Sequence, residues 1–259
     1  MSDKRTETSA AVQDIREALA SQHVDSGRSL TQTLAVACRI LAANGHGSGL
    51  AGQMTARGDT PGTMWTLPYG MGFEEVTASD YLLVDNDLKV IDGKGTPNPA
   101  NRFHLHVYAV RDDIDAIVHT HPLNCSALSM IGEPLKPMHM DTSMFYGDVA
   151  FLPRWPGIPF GDEEGEIISE ALGDKNAILL AHHGQLCAAP TVEAACVMGV
   201  FIERAAEMQL KAMAAGDIKE IEPDLGHEAH DWRHAPEAMR TTFEYFARRA
   251  LAGNDDCLR

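Results

Sequence analysis

The chain has 259 residues, 44% of them hydrophobic, with 37 acidic against 21 basic side chains and a formal net charge of −16. That length allows one large domain or two small ones with a sizeable core, and the negative charge argues against a nucleic-acid or anionic-membrane partner. No apolar run approaches transmembrane length, and the first residues lack the apolar stretch of an export signal. The five cysteines, Cys38, Cys125, Cys187, Cys196 and Cys257, are scattered with no CxxC pair. They suit reduced, mostly buried thiols, so a cytoplasmic protein is expected.

Residues 1–10 are polar and are expected to be loose. Helical periodicity follows near 11–22 and 29–44, the second stretch apolar at Leu34, Val36, Ile40 and Leu41 and stopped by Asn44-Gly45. A glycine-rich run occupies 45–52, and Val84-Asp-Asn-Asp-Leu88 predicts a hairpin turn between Tyr81 and Ile91. A helix starting at Pro99 or Ala100 carries Phe103, His104 and Tyr108. The apolar run Asp115–Val118 predicts a buried strand that ends in His119-Thr120-His121-Pro122. Asp162 predicts an N-cap for a helix over 163–172, and Ala177–Ala181 reads as a second buried strand, ending in His182-His183-Gly184. Helices over 191–214, stopped by Gly216, and from Pro236 to Gly253 complete the chain. Helices and strands mixed in this order predict a single three-layer α/β/α domain with a central mixed sheet.

The histidines carry the chemistry. Positions i and i+2 of a strand share a face, so His119 and His121 stand side by side. The second strand delivers one of His182 and His183 to any given face. Three imidazoles from two strand ends leave an open coordination position, which is the pattern of a catalytic metal. A single buried histidine is ordinarily a hydrogen-bonded core residue, but two on one strand face are harder to hide in an apolar interior. His104 and His106, two apart on a helix, cannot both face the site. His227, His230 and His234 have helical spacing, and their acidic neighbours Glu228 and Asp231 predict a solvent-facing group.

Phe103-His104, Tyr108, Arg111-Asp112-Asp113, the His-x-His-Pro strand and Leu-Leu-x-His-His-Gly together resemble the class II aldolase and adducin family over roughly residues 30–214. The family includes fuculose-phosphate aldolase, ribulose-phosphate 4-epimerase, aromatic-acid decarboxylases and the non-enzymatic adducin head domain. The resemblance implies a divalent metal held by His119, His121 and His183, zinc first, with iron(II) or manganese as alternatives. It places His182 where asparagine is usual. It further implies an aldolase-like domain over 11–216 and a helical extension, 217–259, packed on the same domain or on a neighbouring subunit of a homotetramer. Trp232 and Tyr245 would lie in that extension. His139 matches a histidine of some aldolases, as a fourth ligand, an acid or base, or a packed residue; Asp141 and Tyr146 share its loop.

Two departures from the family pattern matter. The carboxylate that precedes Arg-Phe-His by two residues in the sugar-phosphate enzymes is Ala100 here, which cannot accept a proton, and Asn101 is no better as a base. The phosphate loop Gly-Thr-x-Gly-Asn becomes Gly49-Leu-Ala-Gly-Gln53, and the next loop reads Pro68-Tyr-Gly70-Met-Gly72. Charge-assisted bonds of about 1.5–3 kcal/mol each are thereby lost to a phosphate. Gln53, Gly70 and Asn101 are the expected substrate contacts, and the substrate is expected to be an unphosphorylated, apolar, aromatic hydroxy- or oxo-acid. The leading reading is a metal-dependent carbon–carbon lyase of decarboxylase or aldolase type. An alternative is a non-haem iron(II) oxygenase cleaving 2-oxo or 2-hydroxy acids. A further alternative is an adducin-like scaffold, against which the retained histidines count.

Overall fold

The computed structural model describes residues 12–15, 17, 18, 21, 26–158 and 161–259. The expected loose segment, 1–10, lies outside them, while residues 12–15, 17, 18 and 21 are helical, inside the expected 11–22 helix. The first fully described helix, α1 (Leu30–Leu41), starts from a capping box in which Ser29 accepts from Gln32 N and the Gln32 side chain accepts from Ser29 N.

Eight strands form one mixed sheet. In chain order they are β1 (Gln53–Arg57), β2 (Thr63–Thr66), β3 (Leu82–Asp85), β4 (Val90–Asp92), β5 (Ala116–Thr120), β6 (Val149–Leu152), β7 (Ala177–Leu180) and β8 (Gln185–Ala189). Their spatial order is β4-β3-β2-β1-β5-β8-β7-β6, antiparallel throughout except for the β6–β7 pair. The hairpin expected between Tyr81 and Ile91 is β3–β4, turning through Leu88 at φ 60°.

Period-two alternation divides the core into two halves. Ala116 and Val118 of β5, with Cys187 and Ala189 of β8, face the layer that contains α1, α5 (Val192–Ala215) and α7 (Pro236–Ala250). Ile117, Leu186, Ala188, Ile178 and Leu180 face α2 (Arg102–Val110) and α4 (Asp162–Leu172) on the other side. The predicted three-layer α/β/α arrangement is therefore the observed one. Helix α5 crosses the middle of the sheet where Gly199 lets it approach closely: a Cβ there would lie 3.0 Å from Leu41 Cδ2 and 3.2 Å from Val118 Cγ1. Met239, Phe243 and Ala247 of α7 are buried in the same core, so the C-terminal segment packs on its own chain.

Two local expectations are corrected. Asp162 is not the cap of α4; Gly161 holds that position without a side-chain bond, and Asp162 lies in the first turn near Arg102 and His106. A second helix, α6 (Pro223–Arg233), precedes α7, and on it His230 and the adjoining His234 are half-buried rather than solvent-facing. Only His227 of that trio is exposed, its ring edge against Tyr146. All five cysteines are free and buried. Among the described residues, no helix is long and apolar enough to cross a membrane.

Candidate metal centre and substrate cavity

The first two histidines arrive as the strand pattern requires. β5 is central and buried along its length, its last residues are His119 and Thr120, and His121 follows one position beyond. Pro122, lacking an N–H, ends the ladder and is the N-cap of α3 (Leu123–Met130). The Nε2 atoms of His119 and His121 lie 3.0 Å apart. The face they share is the α2 side, where Phe103 packs edge-on against His119 at 4.9 Å between ring centroids.

The third histidine is selected by a turn, not by strand parity. β7 ends at Leu180, and the chain reverses into β8 through Ala181–Gly184, with Leu180 N donating to Gly184 O (2.8 Å) and His183 N to Leu180 O (3.1 Å). His182 occupies the left-handed region at φ 56°, a conformation that Asn and His tolerate better than most residues. That residue turns outward and exposed, while the ring of His183 comes within 4.8 Å of His119 and 4.6 Å of His121. Each of the three offers a ligand nitrogen within 4.8 Å of the others.

These residues fit a divalent cation. Burial, followed by the neighbouring His183 and His121, pushes His119 well below the usual histidine range, and burial lowers His121. Burial and then His121 bring His183 down to about 4. All three are therefore neutral near pH 7, the form that ligates metals, and their converging lone pairs have no protein cation between them. Neutral imidazoles suit zinc, iron and manganese alike.

A cavity of about 520 Å³ opens on the histidines, lined by His119, His121, His182 and His183 together with Gln53, Asn98, Ala100, Leu50, Tyr69, Trp155 and Ile158. Ala100 thus stands at the site with only a methyl group to offer. Among the described residues, no lysine, arginine, aspartate or glutamate lines the cavity. Gln53, directly across the ladder from His119, donates to Ala51 O through Nε2 (3.0 Å), while its buried Oε1 has no partner among the described residues.

The other expected contacts lie elsewhere. Asn101 is fully buried and donates to Thr66 Oγ1 (2.8 Å), because the 3₁₀ turn Pro99–Asn101 aims it into the core. Gly70, exposed at φ 101°, is a turn residue beside the lining Tyr69. His139 is exposed and outside the cavity: its Nδ1 accepts from Asp141 N (3.1 Å) and caps the 3₁₀ segment Met140–Phe145. Asp141 pairs with Arg204, and Tyr146 packs on His227, so neither lines the cavity. Neither do His104 and His106. His104 is buried with Nδ1 on Thr55 Oγ1 (2.7 Å), and His106 faces Asp162.

Periodicity did not single out the supports. Behind the histidines, Thr120 Oγ1 joins His46 Nδ1 and Gln185 Nε2, each at 2.7 Å. Beyond Pro122, Glu203 of α5 accepts from Asn124 N (2.8 Å), Asn124 Nδ2 (2.7 Å) and Cys125 N (2.9 Å), anchoring the start of α3 just after His121. No motif flagged these residues, since their partners are distant in sequence.

A mixed sheet with three convergent histidines at the end of a central strand and its neighbouring hairpin defines an α/β protein with a candidate metal centre beside a cavity. Residues 32–210 match the family described as Class II Aldolase and Adducin N-terminal domain, and the chain belongs to that family. It is 30% identical over 195 residues to the Streptomyces roseochromogenus 4-hydroxy-3-prenylphenylpyruvate oxygenase/4-hydroxy-3-prenylbenzoate synthase, covering 74% of this chain and 70% of that one. It is also 30% identical over 195 residues to Decarboxylase NovR of Streptomyces niveus, covering 74% and 72%. The solved L-fuculose 1-phosphate aldolase of Glaciozyma antarctica superposes with a TM-score of 0.82 at 28% identity, over 93% of this chain and 99% of that one.

Proposed function

We propose that this protein is a metal-dependent carbon–carbon lyase of the decarboxylase type, acting on an unphosphorylated aromatic hydroxy- or oxo-acid. One observation carries the reading: the cavity at the three histidines is walled by Leu50, Tyr69, Trp155, Ile158 and Ala100, with no carboxylate and no cationic side chain among the described residues. A phosphate dianion placed there would find no charged side chain among the described lining residues, whereas an aromatic ring would find apolar and aromatic surface. The two Streptomyces relatives, named as a decarboxylase and as an enzyme of prenylated aromatic acids, support the same substrate class.

His119, His121 and His183 would hold the ion, zinc first, which supplies Lewis-acid polarisation of a substrate oxygen. The remaining steps fall to the chain's own groups. Ala100 cannot remove a proton from carbon, so chemistry that begins with proton abstraction is disfavoured; loss of carbon dioxide requires none. Only a final protonation is needed, and His182, exposed at the cavity wall on its left-handed turn, replaces His139 as the side chain placed to deliver it. Gln53 Oε1 would accept from a substrate hydroxyl. The assembly is a homotetramer in this reading, following the family resemblance, and it works in the cytoplasm.

The relative named as an oxygenase favours one second reading, an iron(II) oxygenase using the same three histidines. Metal analysis of chelator-free protein separates the two, followed by a panel of aromatic and aliphatic 2-hydroxy and 2-oxo acids with and without oxygen. Zinc or manganese with anaerobic release of carbon dioxide or an aldehyde supports the lyase. Bound iron with oxygen consumption replaces it by the oxygenase. His121→Ala should abolish binding of the ion at this centre.

A further inference from the structure

A second convergence of ligands lies where helix α6 meets the sheet. His230 and His234, four residues apart and therefore on one helical face, stack at 4.3 Å between ring centroids. Both aim Nε2 at Asp148, just before β6: His230 Nε2 is 3.4 Å and His234 Nε2 3.5 Å from Asp148 Oδ2. These separations are long for charge-assisted hydrogen bonds, which run about 2.7–2.9 Å. They match the edge of a tetrahedron whose centre lies about 2.0–2.2 Å from each ligand atom, the bond length of zinc to nitrogen or oxygen.

The surroundings are those of a supported ligand set. His230 Nδ1 lies 3.0 Å from Asp231 Oδ1, an acceptor, which would keep the proton of a neutral ring on Nδ1 and leave Nε2 for a metal beside Asp148. A lone pair facing a carboxylate is repulsive unless a cation sits between them. Asp148 in turn is fixed by Asn176, whose backbone N donates to Oδ1 (2.9 Å) and whose Nδ2 donates to Oδ2 (2.8 Å). The Met144 carbonyl accepts from His234 Nε2 (2.7 Å), so a metal bound there would displace that proton. An entry path exists as well: a cavity bordering His234 is lined by Glu17, Asp231 and Glu237, which draw cations inward.

We propose that Asp148, His230 and His234 form a second zinc site, structural in role, which fastens α6 to the body of the domain beside β6. It shares no ligand with the centre at His119, His121 and His183 and makes no contact with the substrate cavity. The competing occupant is a proton, with His230 as an imidazolium bridging Asp148 and Asp231.

Zinc chloride titration of the full-length chain, with bound metal counted after removal of loose ions by a weak chelator, decides between them. Wild type should hold two zinc ions per chain and His121→Ala one, and zinc should raise the Tm of His121→Ala by several degrees. His121→Ala/His230→Gln should hold none and show no zinc-dependent rise; His121→Ala/His234→Gln should behave alike. One zinc in wild type and none in His121→Ala overturns the second site while leaving the first intact. Full retention of the remaining ion by the double variants overturns its assignment to these ligands. The wild-type and His121→Ala counts stand even if a double variant fails to fold.

Discussion

Replacing Gly184 by alanine tests the link between the His183 turn and the His121 ligand. A Cβ at this position would lie 2.5 Å from His121 Cδ2, 2.5 Å from the Thr120 carbonyl oxygen and 3.3 Å from His121 Cα. Ordinary contacts are about 3.5–4.0 Å, so two neighbours are overlapped by roughly 1 Å. The Thr120 carbonyl cannot retreat freely, because Thr120 is paired with Gln185 in the β5–β8 ladder. The imidazole of His121 can yield, but only by leaving its place beside His119. Overpacking in a close-packed interior costs about 1–3 kcal/mol, and the fixed backbone contact at Thr120 puts this substitution near the upper end. If the ring moves, zinc affinity at the three-histidine centre should fall by about 10- to 100-fold, since each 1.4 kcal/mol is tenfold. If the strands part instead, the apoprotein Tm should fall by several degrees. The assays are zinc competition against a calibrated chelator and thermal unfolding with and without chelator. Zinc affinity within about threefold of wild type, together with a Tm within about 1 °C, would refute the reasoning.

Three further outcomes are expected. His46 and His104 are held neutral by burial, at pKa values of about 4 and about 3 against about 6.5 when unfolded. Both folded values are depressed, so below pH 6.5 the unfolded chain takes up protons that the folded one refuses. Stability is complete above that pH and declines as pH falls toward 4, by about 2 kcal/mol per histidine at pH 5. Urea unfolding of chelator-treated protein at pH 7 and pH 5 measures the loss, and equal stabilities would contradict it. Glu203→Gln keeps one acceptor oxygen but faces the second backbone N–H with an amide donor; a loss of about 1–3 kcal/mol in urea unfolding is expected, and no loss would mean that the start of α3 is anchored otherwise. Ala100→Glu places a carboxylate in the cavity, and a positioned base is worth about 10²–10⁴-fold in proton transfer. Solvent deuterium incorporation next to the carbonyl of a 2-oxo acid, followed by NMR, should rise at least about tenfold; an unchanged rate would show that position 100 does not reach the substrate.

The sheet centre was legible because its signals are local. Two continuous apolar runs ending in histidines marked β5 and β7, and alternation on β5 placed His119 and His121 together. β8 was passed over because Gln185–Ala189 follows the histidine turn directly and its apolar residues merge into the helical pattern beyond. β1 and β2 carry no clear signal for a related reason: Gln53, Thr55, Thr63 and Thr66 interrupt their alternation, and Thr55 and Thr66 meet partners distant in sequence, His104 and Asn101. Strand parity leaves His182 and His183 as alternatives, and it is the turn that brings His183 to the other two rings. A left-handed residue at His182 turns the chain before parity applies, and no spacing rule reports a positive φ at a non-glycine residue.

The same division separates what was legible about chemistry from what was not. Substitutions inside a motif, Ala100 and Leu50, could be read directly, and both lie on the cavity wall. Asn101 follows from proximity to Ala100 and His139 from the family resemblance, and a single 3₁₀ turn in each case sends the side chain elsewhere, one into the core and one to the surface. Trp155 and Ile158, which do border the histidines, sit in a proline- and glycine-rich connection with no periodicity to announce it. They determine how apolar the cavity is, so the substrate's class depends more on this connection than on any motif of the chain. Trp155→Ala should therefore raise KM for an aromatic acid while sparing that for a short aliphatic one; equal changes for both would place substrate recognition on the strands instead.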